Sequence, residues 1–449
     1  MKEFNFEKLP IVEIANEIII DAVNKGASDI HFDPSKDSLK IRFRIDGILS
    51  DYSIVPSKYK RNMISRIKMI AGMNIMETRL PQDGAIKSKI GDRLLDLRVS
   101  TLPTNNAEKI VIRILDYSMS LAGLDNLGFS KDAMEKINKL IRIPNGIILV
   151  TGATGTGKST TLYSILQKLN TEEVNIITVE DPVEMDIAGI NQVQTQTEIG
   201  LTFATILRSI LRQDPNIIMI GEIRDDETAR IAVRASITGH LVLSTLHTNN
   251  SLNTIERLTD MDVERYLLGS SLEGIISQRL ARKLCPNCMI KRQTTEYEKQ
   301  VFKTVIGKDI NEMYVANKEG CPRCNHGYRG RLAILEVLIM NEKIKDAITN
   351  NAPKHVLRDL VYTGEVVTLL QDGLNKVVEG ETSFEEILKI VDLENDMTAY
   401  KDDNLVANLK MAQKAHSIKE APQQPTPQVT QQVQQINNQI QSNVETVEF

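Results

Sequence analysis

Eight consecutive residues constrain this chain more than any other feature. Gly152-Ala153-Thr154-Gly155-Thr156-Gly157-Lys158-Ser159 fits G-x4-G-K-[ST] and directly follows the apolar run Ile147-Ile148-Leu149-Val150. A strand, a glycine-rich turn and a helix opening near Ser159 make a phosphate-binding loop. Glycines let backbone N–H groups approach phosphate oxygens, and the helix N-terminus adds positive potential. Residues Gly152 to Ser159, with Thr160, are therefore expected to bind a nucleotide. Lys158 should reach the β- and γ-phosphates, and the Ser159 hydroxyl should ligate Mg²⁺.

Such a loop needs a sheet, and the chain supplies one. Apolar strands at Gly146–Val150, Ile176–Val179, Ile217–Ile220 and Leu241–Leu246 are separated by helical stretches. That alternation predicts an α/β domain with a mostly parallel sheet covered by helices over residues 131–270. Residues 1–116 read as a smaller α+β domain. The i, i+3, i+4 spacing of Ile11, Ile14, Ala15, Ile18, Ile19 and Ala22 predicts a helix over 11–24, and a second is expected over 61–71. Leu39–Ile45 sets Lys40, Arg42 and Arg44 against Ile41, Phe43 and Ile45, and Asp46-Gly47 supplies a hairpin turn. Strands are also expected at 94–99 and 109–115. Residues 117–130 read as a linker and 271–416 as a C-terminal helical region. Residues 417–449, rich in Gln and Pro without a spaced apolar face, read as a disordered tail.

Carboxylates complete the chemistry. The strand Ile217–Ile220 runs into Gly221-Glu222, and Thr178-Val179-Glu180-Asp181-Pro182-Val183-Glu184 closes the preceding strand. Both acids would stand at the carboxyl edge of the sheet, where α/β ligands bind. Glu222 would act on the Mg²⁺ water shell or the attacking water, and Glu180 is the candidate general base. Spacing does not decide which dominates. His240 and His247 bracket one strand at odd spacing and so face opposite sides; His247 would sense a γ-phosphate. Arg208 and Arg212 share one helix face, where they would meet either phosphates or neighbouring acids.

Four cysteines fall as Cys285-x2-Cys288 and Cys321-x2-Cys324, with none left over. Two such pairs predict a structural zinc site of four thiolates inside a module at about 280–335. Composition closes other routes. The chain has 54 basic and 59 acidic residues, a net charge of −5, and 0 Trp, 10 Tyr and 9 Phe, which argues against a nucleic-acid coat. Charges interrupt every hydrophobic run, so no transmembrane segment or secretory leader is expected.

The phosphate loop, Thr178–Glu184, Leu211–Pro215 leading into Gly221–Asp225, and Thr238–Leu241 to His247–Asn249 together resemble the secretion ATPase superfamily. In order they are similar to its Walker A, Asp box, Walker B and His box. The branch serving type II secretion and type IV pilus assembly matches best. Ala27–Phe32, Arg42–Gly47, Arg79–Gly84 and Asp96–Pro103 are similar to its N-terminal signatures. The resemblance implies a RecA-like P-loop ATPase domain behind a PAS-like domain, with a zinc-binding helical subdomain. It further implies a cytoplasmic homo-hexamer that uses ATP, Mg²⁺ and Zn²⁺. Such a ring works at the inner membrane through a platform protein and, indirectly, on pilin or pseudopilin subunits. Arg79, Arg93 and Arg98 would join Arg208 and Arg212 near the γ-phosphate. Gln278-Arg279-Leu280 before the cysteine module resembles the assembly branch rather than retraction ATPases. A retraction or DNA-uptake motor, and a nucleotide-sensing scaffold without significant hydrolysis, are the competing readings.

Overall fold

A computed structural model describes residues 1–91, 93–116, 123–362 and 365–391. Residues 117–122 of the expected linker and the whole expected tail lie outside them. The N-terminal part runs α1 (Ile11–Asn24), β1 (Ala27–Pro34), β2 (Ser38–Ile45), β3 (Ile48–Pro56), α2 (Ser57–Ile70), β4 (Gln82–Ile90), β5 (Arg93–Pro103) and β6 (Glu108–Asp116). Its sheet has the order β3-β2-β1-β6-β5-β4. Ile14, Ile18 and Ala22 of α1 and Met63 and Ile67 of α2 pack on Ile30, Phe32, Ile41 and Phe43, so one face of the sheet is core. The period-2 alternation turns the charges to the other face. The basic side of the β2–β3 hairpin is there met by acids of β1: Arg42 pairs with Asp33 at 2.6 Å, and Arg113 of β6 pairs with Asp29 at 3.2 Å.

The remainder is built on a mixed sheet. Its elements are α3 (Lys131–Leu140), β7 (Gly146–Thr151), α4 (Lys158–Leu169), β8 (Ile176–Glu180), β9 (Asn191–Gln194), α5 (Phe203–Ile210), β10 (Ile217–Ile220), α6 (Asp226–Ile237), β11 (Leu241–Leu246), α7 (Ser251–Asp260), α8 (Arg265–Ser271) and β12 (Leu272–Leu284). Then come β13 (Ile290–Gln293), α9 (Glu296–Ile306), β14 (Glu312–Val315), β15 (Tyr328–Ile339), α10 (Glu342–Thr349), α11 (Lys354–Tyr362), α12 (Leu369–Val378) and α13 (Phe384–Ile390). Seven strands align as β15-β12-β7-β11-β10-β8-β9, all parallel along the chain of pairs from β12 to β9, with β15 antiparallel to β12. Ile147 and Leu149 enter the core on one face, Ile148 and Val150 the core on the other. Helices cover both, which is why these strands read as unbroken apolar runs. Each fully buried Ile or Leu there contributes roughly 1.5–3 kcal/mol.

One expectation fails at the level of elements. The chain does not turn uniformly helical after about residue 270, because β12 and β15 are long strands of the central sheet and the cysteine module is inserted between them. Strand order also explains the site. β11 lies between β7 and β10, so the carboxyl ends of β7, β11, β10 and β8 open on one edge.

Candidate functional site

The loop after β7 is shaped by contacts that only glycine permits. Gly152 has φ +149, and a Cβ there would stand 2.5 Å from the carbonyl oxygen of Gln278 and 2.6 Å from Thr156 Oγ1. Gly157 caps α4 in the left-handed region at φ +88. Lys158 Nζ donates to the carbonyls of Gly152 at 2.9 Å and Ala153 at 3.0 Å, which curls the ammonium over the loop. Burial lowers its pKa, Arg279 adds to that, and Glu222 and Glu184 work the other way. Ser159 and Thr160 follow in the first turn of α4 and line the same cleft. The residues thus fit a polyphosphate: a backbone no side chain obstructs, a helix N-terminus and a partly desolvated cation.

The cleft holds about 2010 Å³ between this edge and the N-terminal sheet, and Glu180, Glu184, Glu222 and His247 line it. Glu180 ends β8 and is only 3% exposed. Its Oε1 accepts from Thr178 Oγ1 at 2.5 Å and Gln192 Nε2 at 3.0 Å, and its Oε2 accepts from the Tyr163 hydroxyl. Burial and this carboxylate push the tyrosine's pKa up. Tyr163 in turn accepts from the Glu184 N–H at 3.2 Å, so Glu180 fastens the turn that carries Glu184. Glu222 accepts from Arg224 Nη2 at 2.5 Å and meets His247 Nε2 at 3.3 Å. Burial raises the Glu222 pKa, but Arg224 and His247 outweigh it and hold the carboxyl below its ordinary range. His240 lies at the opposite end of β11, with Nδ1 2.8 Å from the carbonyl of Ala235.

The arginines divide. Arg93 and Arg98 line the cleft, and Arg98 Nη2 donates to the carbonyl of Val183 at 3.4 Å. Arg79, with an 85% exposed side chain, lies outside it, held by Glu77 at 2.8 Å. Arg208 pairs with Glu227 in a separate hollow beside Arg230 and Arg234, and Arg212 Nη1 donates to the carbonyl of Arg208 at 2.7 Å. Within one chain, the expected meeting of Arg79, Arg208 and Arg212 with the phosphate loop is therefore absent. Sequence reasoning did not single out Glu184 or Arg224. The available signals were the proline turn, which carries Glu184 back over the strand end, and the two-residue spacing from Glu222 to Arg224.

A second cluster lies where β12 enters the inserted module. The sulfurs of Cys285, Cys288, Cys321 and Cys324 all fall within 4.8 Å of one another. Four thiolates about 2.3 Å from a zinc ion at tetrahedral angles stand roughly 3.8 Å apart. Cys285 and Cys321 are 3.8 Å apart and Cys288 and Cys324 are 3.6 Å apart, so the donor set fits zinc. Burial pushes the Cys324 thiol up, but the N–H groups of Cys321 and Gly327 outweigh it and bring it down to about 7.

Comparison with known proteins agrees with this architecture. The family model for Type II/IV secretion system protein matches residues 5–389. The chain is 44% identical over 382 residues to the type II secretion system ATPase E of Vibrio cholerae, an alignment that covers 85% of this chain and 75% of that protein. It is 45% identical over 381 residues to the type IV pilus assembly ATPase PilB of Myxococcus xanthus, covering 84% and 67%. Among solved structures, the pilus retraction motor PilT with bound ADP aligns at a TM-score of 0.57 and 26% identity over 88% of this chain and 98% of that one. The ATPase DotB of Legionella pneumophila aligns at 0.63 and 21%, over 86% and 97%, which speaks to the fold. A match along nearly the whole described length, on the same kind of fold, makes this chain a member of the type II/IV secretion system protein family.

Proposed function

We propose that this chain is a Mg²⁺-dependent ATPase whose turnover drives assembly of a type IV pilus or type II secretion pseudopilus. The observation that carries the reading is the cleft that gathers Lys158, Glu184, Glu222 and His247 at the carboxyl edge of the sheet. Lys158 and the loop N–H groups take the charge of the β- and γ-phosphates. Glu222, kept ionised by Arg224 and His247, and Glu184, aimed by the Glu180–Tyr163 contact, orient the attacking water. Glu180 is a positioning residue in this scheme, since both its oxygens are occupied. Arg93 and Arg98 stabilise developing phosphate charge from the N-terminal side, and an arginine in such a place contributes about 10³–10⁵ in rate. A bound Mg²⁺, with Ser159 as a ligand, supplies further neutralisation of the phosphates. Zinc on the four cysteines ties β12 to the module and has a structural role.

The names of the relatives support the fibre-assembly reading, and so does the tetracysteine module. The working unit is a homo-hexamer in which Arg79, Arg208 and Arg212, outside their own chain's cleft, face a neighbour's nucleotide. It sits at the cytoplasmic face of the inner membrane through a platform protein; no described helix is long and apolar enough to cross a membrane. The likeness to a retraction motor gives a second reading, in which the same turnover withdraws fibres. Phosphate release from purified wild type and Lys158→Ala tests the enzyme: the variant should fold and lose at least about 10²-fold in turnover, and undiminished activity would sink the assignment. Deleting the gene separates the tasks, since loss of an assembly motor leaves no fibres and loss of a retraction motor leaves an excess.

A further inference from the structure

We infer that Gln278 is the residue that sets the shape of the phosphate loop. The inference rests on the nucleotide reading above and goes one step further, to a side chain at the back of the cleft whose amide is bonded to the loop and its helix. Gln278 lies in β12, next to β7, and is 2% exposed. Both ends of its amide are committed to the loop and its helix. Nε2 donates to the carbonyl of Thr156 at 2.8 Å, and Oε1 accepts from Thr161 Oγ1, one turn into α4, at 2.7 Å. It therefore bridges the last residues of the loop to the helix that should carry the nucleotide's charge.

Its backbone and side chain also bound the two glycines where the loop turns. The Gln278 carbonyl is the atom a Cβ at Gly152 would strike at 2.5 Å, and its Nε2 is the atom a Cβ at Gly157 would meet at 2.9 Å. One residue earlier, Ser277 Oγ lies 3.0 Å from Thr151 Oγ1, where β7 gives way to the loop. A phosphate-binding loop works through N–H groups that converge on one point, and that convergence is a property of backbone torsions. Gln278 is the buried polar group that ties those torsions to a strand hydrogen-bonded on both sides. An amide suits the position because it carries both an N–H donor group and a carbonyl acceptor in a single plane. Glutamate keeps the acceptor but sets a carboxylate against the Thr156 carbonyl, and leucine supplies neither.

The contact exists whether or not the nucleotide has reached its transition state, so its loss should weaken binding uniformly. Titration of a fluorescent ADP analogue and steady-state ATPase kinetics on full-length wild type, Gln278→Leu, Thr161→Val and the double variant test this. Removal of the bridge should raise Kd for the analogue and KM for ATP by about tenfold, the size of a lost buried hydrogen bond, while kcat stays within about twofold. The double variant should be no weaker than Gln278→Leu alone, because both substitutions cut the same bridge. Thr161→Val keeps the glutamine and serves as the test should Gln278→Leu fail to fold. Wild-type affinity in Thr161→Val or in folded Gln278→Leu, a loss in kcat alone, or additive effects in the double variant would each overturn the inference. Failure of the wild type to bind the analogue would instead remove the nucleotide reading.

Discussion

Glu222 shows how a single carboxylate is prepared. Arg224 donates at 2.5 Å and His247 stands 3.3 Å away, and together they overcome burial to hold its pKa down. A carboxyl whose folded-state pKa is depressed stabilises the fold above its unfolded value, here near 4.5, and that contribution is lost as pH falls through the lower folded value. In Arg224→Gln the carboxyl should return toward its ordinary range and the low-pH window should shrink. Acid titration followed by circular dichroism should then show the variant unfolding at a higher pH than wild type. Superimposed acid limbs would mean that Arg224 does not hold this carboxylate. Sequence reading placed Lys158, Ser159 and Glu222 at the carboxyl edge of the sheet, where they line the cleft, because a loop motif and a strand end fix their positions. It could not rank Glu180 against Glu222, since that depends on tertiary partners: Tyr163, Thr178 and Gln192 occupy both oxygens of Glu180, whereas Glu222 meets Arg224 and His247.

Among the elements, those with a one-sided or strongly apolar pattern were legible. The helix over 11–24 coincides with α1, and the expected strands at 146–150, 176–179, 217–220 and 241–246 correspond to β7, β8, β10 and β11. β12 was not legible because it is buried on both faces, so period 2 is erased, while Leu272, Ile275, Ile276 and Leu280 mimic helical spacing. β4 was missed for the opposite reason: as an edge strand with no fully buried residue, it offers only Ile86 and Ile90 to the core among polar neighbours, too weak an alternation to announce a strand. The element with the greatest local stake is α2. Its Lys68, 1% exposed, donates to Glu108 at 2.6 Å and to the carbonyl of Glu77 at 2.5 Å, and so fastens the loop that carries Arg79. Glu108→Ala should strand that ammonium and cost about 3–5 kcal/mol, read as a lower denaturant midpoint with an unchanged slope. A loss below about 1 kcal/mol would show that the Glu77 carbonyl alone satisfies the lysine.

At the scale of the whole molecule, the inserted cysteine module and the phosphate loop share one strand. β12 passes Gln278 and, after Leu284, reaches Cys285, so both features hang on the same backbone. Elemental analysis should find about one zinc per chain, the single site four cysteines can close, and Cys321→Ser should lose it. Zinc-free native protein would refute the metal assignment. The central sheet has a further consequence, visible in time rather than in space. β12 is hydrogen-bonded to β7 on one side and β15 on the other, whereas β9 closes an edge and β13–β14 form a two-stranded ribbon. Amide hydrogens are released to solvent in the order in which local structure opens. In heavy water the ribbon and β9 should exchange first, and the strand that periodicity least announced should be among the last to give up its protons.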